Sequence, residues 1–192
     1  MLENALHYSR TLLKNTLVPG DIVIDATIGN GNDTVLLATL VGKTGKVYGF
    51  DLQEQAIKKT KEKLLLTGLT DQVVLFQQGH ETLSSVLPEN TLLAGAIFNL
   101  GYLPKGDKTI ITKAETTLIA IKEILPRLRK GGLLLLVVYY GHEGGKEEKE
   151  TVLNYVQTLP QMNYTVLRYD FLNQKNNPPL LIAIEKKERN DN

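Results

Sequence analysis

Five apolar runs of strand length, at residues 22–24, 47–50, 73–76, 93–98 and 133–140, recur along the chain with helix-length segments between them. Uninterrupted apolar strands are buried on both faces, and their alternation with helices reads as βαβ units around a parallel sheet. Residues 34–40, 54–66 and 109–125 have the length and patterning of those helices. Ahead of the first strand, Leu2, Leu6, Leu12, Leu13 and Leu17 predict an amphipathic helix within residues 1–18. It caps the sheet and stops near Pro19-Gly20.

Past Tyr140 the loop Gly141-His142-Glu143-Gly144-Gly145 leads into a helix over about residues 146–159, stopped by Pro160. Two more strands, at 164–171 and 180–184, are joined by Asn173-Gln174-Lys175-Asn176-Asn177-Pro178-Pro179, too short for a crossover helix. They therefore pair antiparallel or leave the sheet. The expectation is an α/β, Rossmann-like fold: a mostly parallel seven-stranded sheet with an antiparallel C-terminal hairpin and helices on both faces. At 192 residues and 42% hydrophobic, the chain is read as a single domain over 1–192, with 186–192 a charged tail.

Composition narrows the chemistry. With no cysteine, the chain has no Cys-ligated zinc, no disulfide and no thiolate nucleophile, so covalent attack on a pyrimidine through cysteine is closed to it. A net charge of +1, from 22 Lys and Arg against 21 Asp and Glu, gives no global field for nucleic acid, so RNA would have to meet a local patch. No run approaches the roughly 20 apolar residues that cross a bilayer. No membrane role and a cytosolic location are expected.

The most informative segment is Asp25-Ala26-Thr27-Ile28-Gly29-Asn30-Gly31-Asn32-Asp33-Thr34, between the first strand and the next helix. Glycines at that junction let the backbone turn tightly and approach a ligand. About twenty residues on, Asp51 ends the second strand, where a carboxylate can accept from both ribose hydroxyls. A dinucleotide site shares this geometry, but its third glycine is Thr34 here. Carboxylates at Asp25 and Asp33, with Asn30 and Asn32, repel a pyrophosphate and suit the ammonium and sulfonium of S-adenosylmethionine. The competing readings are a methyltransferase of the same fold acting on rRNA or on a small-molecule or protein amine, an NAD-dependent oxidoreductase, and a non-catalytic binding module.

Asp25, Thr27, Gly29, Asn30, Asn32, Asp33 and Asp51 are thus the candidate cofactor residues. Gln53 joins them, either beneath an adenine ring or as an ordinary first-turn residue. After the third strand, Gln77-Gln78-Gly79-His80-Glu81 offers polar side chains to the exocyclic amine, although His80 or Glu81 equally well caps the next helix.

The fourth strand ends in Asn99-Leu100-Gly101-Tyr102, at the carboxyl edge where open α/β sheets carry their chemistry. It resembles the Asn-Pro-Pro-Tyr motif of amine-directed methyltransferases without the two prolines. In that motif the Asn and a backbone carbonyl hold the amine while the aromatic ring stacks on the base, which points to Asn99, to Leu100 and Gly101, and to Tyr102. A turn-forming Asn99 and a packing Tyr102 are the plainer alternative. An alkylamine with a pKa of roughly 10 must lose a proton before attack. His142 is the candidate acceptor, with Tyr139 or Tyr140 helping to hold the base.

Taken in order, residues 25–34, Phe98-Asn99-Leu100-Gly101-Tyr102-Leu103-Pro104, Tyr140-Gly141-His142-Glu143-Gly144-Gly145 and Asn176-Asn177-Pro178-Pro179 resemble a small bacterial family first labelled rRNA methylases. Its members are assigned as tRNA wobble-uridine methyltransferases of the class I, S-adenosylmethionine-dependent fold. The resemblance implies N-methylation of the 5-aminomethyl group of 5-aminomethyl-2-thiouridine in the tRNA anticodon stem-loop, and a homodimer. It also suggests base stacking on Tyr102 or Tyr140. Lys105, Lys108, Lys113, Lys146, Lys149 and Lys175 then serve as phosphate contacts, and Lys58, Lys59, Lys61 and Lys63 as a solvated helix face.

Overall fold

The computed structural model describes residues 1–103, 107 and 109–187. The strands are β1 (Ile22–Asp25), β2 (Lys46–Phe50), β3 (Val73–Phe76), β4 (Leu93–Leu100), β5 (Leu128–Val138), β6 (Tyr164–Tyr169) and β7 (Leu180–Lys186). They form one seven-stranded sheet in the order β3-β2-β1-β4-β5-β7-β6. β1 to β5 run parallel; β7 pairs antiparallel with both β5 and β6. The expected sheet and hairpin are present, with the last strand inserted between β5 and β6.

Among the described residues six helices cover the sheet: α1 (Ala5–Thr16), α2 (Asn32–Val41), α3 (Glu54–Thr67), α4 (Leu83–Val86), α5 (Ala114–Arg127) and α6 (Gly145–Gln157). Strand residues alternate between two cores. Ile24, Ala96, Phe98, Leu134, Leu136 and Ile182 pack with Ile121 and Ile124 of α5 and Val152 and Val156 of α6. Val23, Val47, Ile97, Leu135 and Val137 pack with Leu13 of α1 and Leu37 and Val41 of α2. Apolar side chains on both faces fix the register, since a one-residue slip would exchange the two cores.

Several boundaries differ from expectation, three of them for a clear local reason. α5 starts at Ala114 rather than Thr109, because Asp107 Oδ1 takes both the backbone N–H and the hydroxyl of Thr109 and Ile111 bridges back to Tyr102. β5 begins at Leu128, ahead of the Gly131-Gly132 pair that conceals its start in the sequence. The N-terminal helix is shorter than its leucine pattern, starting after Asn4, whose Oδ1 accepts from His7 N at 2.8 Å. Of the expected charged tail, Lys186 completes β7 and residues 188–192 lie outside the described residues.

Candidate active site

Strand order reverses between β1 and β4, and at this switch point a cavity of about 720 Å³ opens at the carboxyl edge of the sheet. Its walls come from segments far apart in sequence, including Thr27–Asn30 after β1, Asp51–Gln53 after β2, His80–Glu81 after β3, and Asn99 with Gly101–Leu103 at the end of β4. α1 adds Leu6 and Arg10, β5 is followed into it by Tyr139, and Asn177 reaches it from the β6–β7 loop.

At one end Asp51 fastens the glycine loop. Its Oδ2 accepts from Gly29 N at 2.8 Å and its Oδ1 from Gln53 N at 2.9 Å. Burial raises the Asp51 pKa, and those backbone donors act against the rise. Each carboxylate oxygen keeps a further lone pair for a ligand hydroxyl. Gly31, at φ +74°, caps α2 and lies so close to Thr60 that a Cβ would run into the Thr60 hydroxyl. Lys63 of α3 donates to Asn30 O at 2.7 Å and Asn32 Oδ1 at 2.6 Å. It is thus a loop clamp rather than part of a solvated helix face.

Nearby, His80 is buried, and its Nδ1 lies 3.0 Å from Ala26 O. Since a carbonyl only accepts, Nδ1 carries the hydrogen and Nε2 is a bare acceptor, with no partner among the described residues. Burial pushes the ring pKa down, which favours the neutral form. Gln53 lines the same region, its Oε1 accepting from Asp107 N at 3.3 Å. Glu81 folds back over Gly79, where its carboxylate fills the space a Cβ would need.

At the β4 end, Asn99 is held twice. Its backbone N–H donates to Thr27 Oγ1 at 2.7 Å, and its side-chain Nδ2 donates to Asp33 Oδ2 at 2.9 Å. Asp33, only 6% exposed, also accepts from Arg10 Nε at 2.7 Å. Gly101 then turns the chain, its N–H donating to Thr112 Oγ1 at 2.9 Å. The exposed Tyr102 ring sits edge-on to His142, with centroids 5.6 Å apart. His142 Nε2 is buried with no partner among the described residues.

Some expected site residues fall elsewhere. Asp25 lies fully buried beneath the loop and does not line the cavity; it accepts from Thr34 Oγ1 at 2.6 Å and Thr27 N at 3.2 Å. Burial, then the neighbouring Asp33 charge, pushes its pKa up to about 7. Leu100 is fully buried in the sheet core, because β4 is still a two-faced strand there. Tyr140 turns away from the cavity towards the α5–α6 core with Lys149 Nζ 4.4 Å from its ring centroid, and the alternation of the chain gives Tyr139 the inward place. Lys146 is exposed and does not line the cavity, whereas Lys113 does. Lys105 and Lys108 lie outside the described residues.

Two further residues were not singled out by sequence reasoning. Arg10 reaches the site from α1, and the pattern of that helix showed only its leucines. Glu148, 3% exposed on α6, accepts from Thr112 Oγ1 at 2.6 Å and Thr117 Oγ1 at 2.8 Å. Through Thr112 it supports Gly101.

A family model described as "Putative rRNA methylase" matches residues 47–185. The chain belongs to this family. The dinucleotide reading falls with that result. A chloroplastic tRNA (mnm(5)s(2)U34)-methyltransferase of Arabidopsis thaliana is 37% identical across 96% of this chain and 70% of its own length. Among solved structures, a "putative rRNA-methylase" from Clostridium thermocellum has 44% identity and a TM-score of 0.94, covering 97% of this chain and 99% of its own. A "putative methyltransferase" from Streptococcus mutans, solved in complex with SAH, has 47% identity and a TM-score of 0.88 over the same shares. The fold is that of class I S-adenosylmethionine-dependent methyltransferases.

Proposed function

We propose that the protein methylates the primary amine of 5-aminomethyl-(2-thio)uridine at the tRNA wobble position, using S-adenosylmethionine and giving 5-methylaminomethyl-(2-thio)uridine. The observation that carries this reading is Asn99, an amide whose NH2 is committed to Asp33 at 2.9 Å, which leaves Oδ1 to accept from an amine. The name of the Arabidopsis relative, a tRNA (mnm(5)s(2)U34)-methyltransferase, supports the same substrate.

The cavity's own groups suit the cofactor. The Asp51 oxygens can take ribose hydroxyls, the polar groups of Gln78, His80 and Glu81 suit an adenine, and the Gly29–Asn30 backbone admits close approach. When bound, the cofactor supplies an electrophilic methyl on a sulfonium.

The chain itself has to orient the amine and dispose of a proton. In the overall reaction nitrogen gains a methyl and gives up one proton, and the other product is S-adenosylhomocysteine. Asn99 Oδ1 aligns the amine, and alignment alone can supply much of the rate enhancement. Tyr102, exposed at the mouth, stacks on the flipped base, a contact of about 1–3 kcal/mol. His142, whose Nε2 has no partner among the described residues, takes the proton. The RNA element is the anticodon stem-loop, and the active form is a homodimer.

To test this, purified protein is incubated with S-adenosylmethionine and tRNA from a strain deleted for its gene, and the wobble nucleosides are read by mass spectrometry. Conversion of 5-aminomethyl-2-thiouridine to its methylated form is expected. Cofactor binding without a methyl gain on any tRNA nucleoside would leave the fold standing and overturn the substrate.

A further inference from the structure

Asp33 joins two partners from opposite parts of the chain. Arg10 Nε, from α1, donates to Oδ1 at 2.7 Å, and Asn99 Nδ2, from β4, donates to Oδ2 at 2.9 Å. Both contacts face the cavity, since Arg10, Asp33 and Asn99 all line it. An ionised carboxylate only accepts, so only the NH2 of Asn99 can face it, and the amide cannot turn over.

The remaining charged and titratable neighbours are few. Asp25 lies beneath, where the Asp33 charge adds to burial in raising its pKa. Tyr139 flanks the pair from the end of β5, its hydroxyl pKa raised by burial and by Asp33 and lowered by Arg10. Across the cavity are Tyr102 and His142, with Lys113 also in its wall and Asp51, His80 and Glu81 at the β2–β3 end.

An amine accepted by Asn99 Oδ1 lies within about 8 Å of Asp33, the sum of one amide width and two hydrogen bonds. At that range a bare carboxylate would hold the substrate as ammonium, whose nitrogen has no lone pair to attack with. The effect is on the order of one to two pH units at the effective dielectric of a protein site. Arg10 removes that field while leaving Asp33 in place to orient the amide.

Resting on the amine substrate proposed above, we infer that Arg10 is a positioning residue for catalysis. It neutralises Asp33, so that Asp33 fixes the Asn99 amide without trapping the target amine in its protonated form. A binding role for Asp33 towards the cofactor is not needed in this arrangement.

The test is the single-turnover methylation rate against pH, with saturating S-adenosylmethionine and tRNA from the deletion strain. Arg10→Ala is expected to move the alkaline-rising limb up by about one pH unit or more. Arg10→Lys, which keeps the charge, should shift it less. The double variant Arg10→Ala/Asp33→Asn should return the midpoint to near the wild-type value while the plateau rate stays low, because the amide loses its fixed orientation. Calorimetric cofactor affinity within about twofold of wild type in Arg10→Ala and Arg10→Lys separates this from a disturbed cofactor site.

A rate lowered equally at every pH in both single variants overturns the inference. So does a shift that persists in the double variant, or a cofactor affinity that falls in step with the rate. Wild-type protein inactive on this tRNA at all pH values overturns the substrate reading and the inference with it; an active wild type with unshifted variants overturns the inference alone.

Discussion

The Asp51 carboxylate closes back on the loop after β1, its Oδ2 accepting the Gly29 N–H at 2.8 Å. The end of one strand thereby sets the backbone that follows its neighbour. The parallel pairing of β1 and β2, with Asp25 opposite Gly49, brings the two within reach.

Asp51→Ala removes the acceptor of two backbone N–H groups, each charge-assisted bond being worth about 1.5–3 kcal/mol. S-adenosylmethionine affinity is expected to fall by about 10- to 100-fold in calorimetry. Asp51→Asn, which keeps one acceptor oxygen, should fall in between. Unchanged affinity in Asp51→Ala would remove the residue from the cofactor site.

Asp25 predicts a pH dependence of stability. The unfolded chain releases this proton near pH 3.9 and the folded protein near 7. Between those values the folded state binds more protons, so the contribution to stability falls as pH rises through the window and is level above it. Asp25→Asn can still accept from Thr27 N and hydrogen-bond to Thr34. It should flatten that decline and melt above wild type at pH above about 7. Melting curves of both proteins at about pH 5 and pH 8 check this; an equal drop in each would put the proton elsewhere.

Much of the scaffold was legible in the sequence because periodicity reports burial directly. The runs at 22–24, 47–50, 73–76 and 93–98 are strands because each presents apolar groups to two cores. Asn99 and Tyr102 stood out because they follow such a run at the sheet's carboxyl edge. Arg10 and Glu148 carried no local signal, since their partners Asp33 and Thr117 are many residues away and only the folded chain brings them together. Tyr139 and Tyr140 are neighbours that differ only in face, and one residue of uncertainty in where the strand ends exchanges them. α4 is a single turn after a 3-10 turn, too short for any helical period to register.

Glu148→Ala leaves the half-buried Thr112 hydroxyl and the buried Thr117 hydroxyl without their acceptor, the buried loss costing about 1–3 kcal/mol. A melting temperature lower by several degrees is expected, with slower turnover as Gly101 loses its support. Glu148→Gln can accept from one threonine and donate to the other, and should recover most of the stability. Equal melting of Glu148→Ala and wild type would mean the two hydroxyls find other partners.

Lys63→Met keeps the aliphatic stem and removes the ammonium that holds Asn30 O and Asn32 Oδ1. Cofactor affinity should weaken by about 3- to 10-fold with little change in melting, because the clamp acts on the loop and not on the core. Calorimetry alongside a thermal melt distinguishes the two; a large fall in melting temperature would make Lys63 a stability residue.

The insertion of β7 between β5 and β6 imposes an order on assembly. Among the described residues β6 is joined to the sheet only through β7, so it has no strand to add to until β7 has docked on β5. The hairpin therefore has to arrive as a pair or be completed last. Until then the β5 edge lies open to pairing with another chain, and the loop carrying Asn177 is not yet beside the cavity it helps to line.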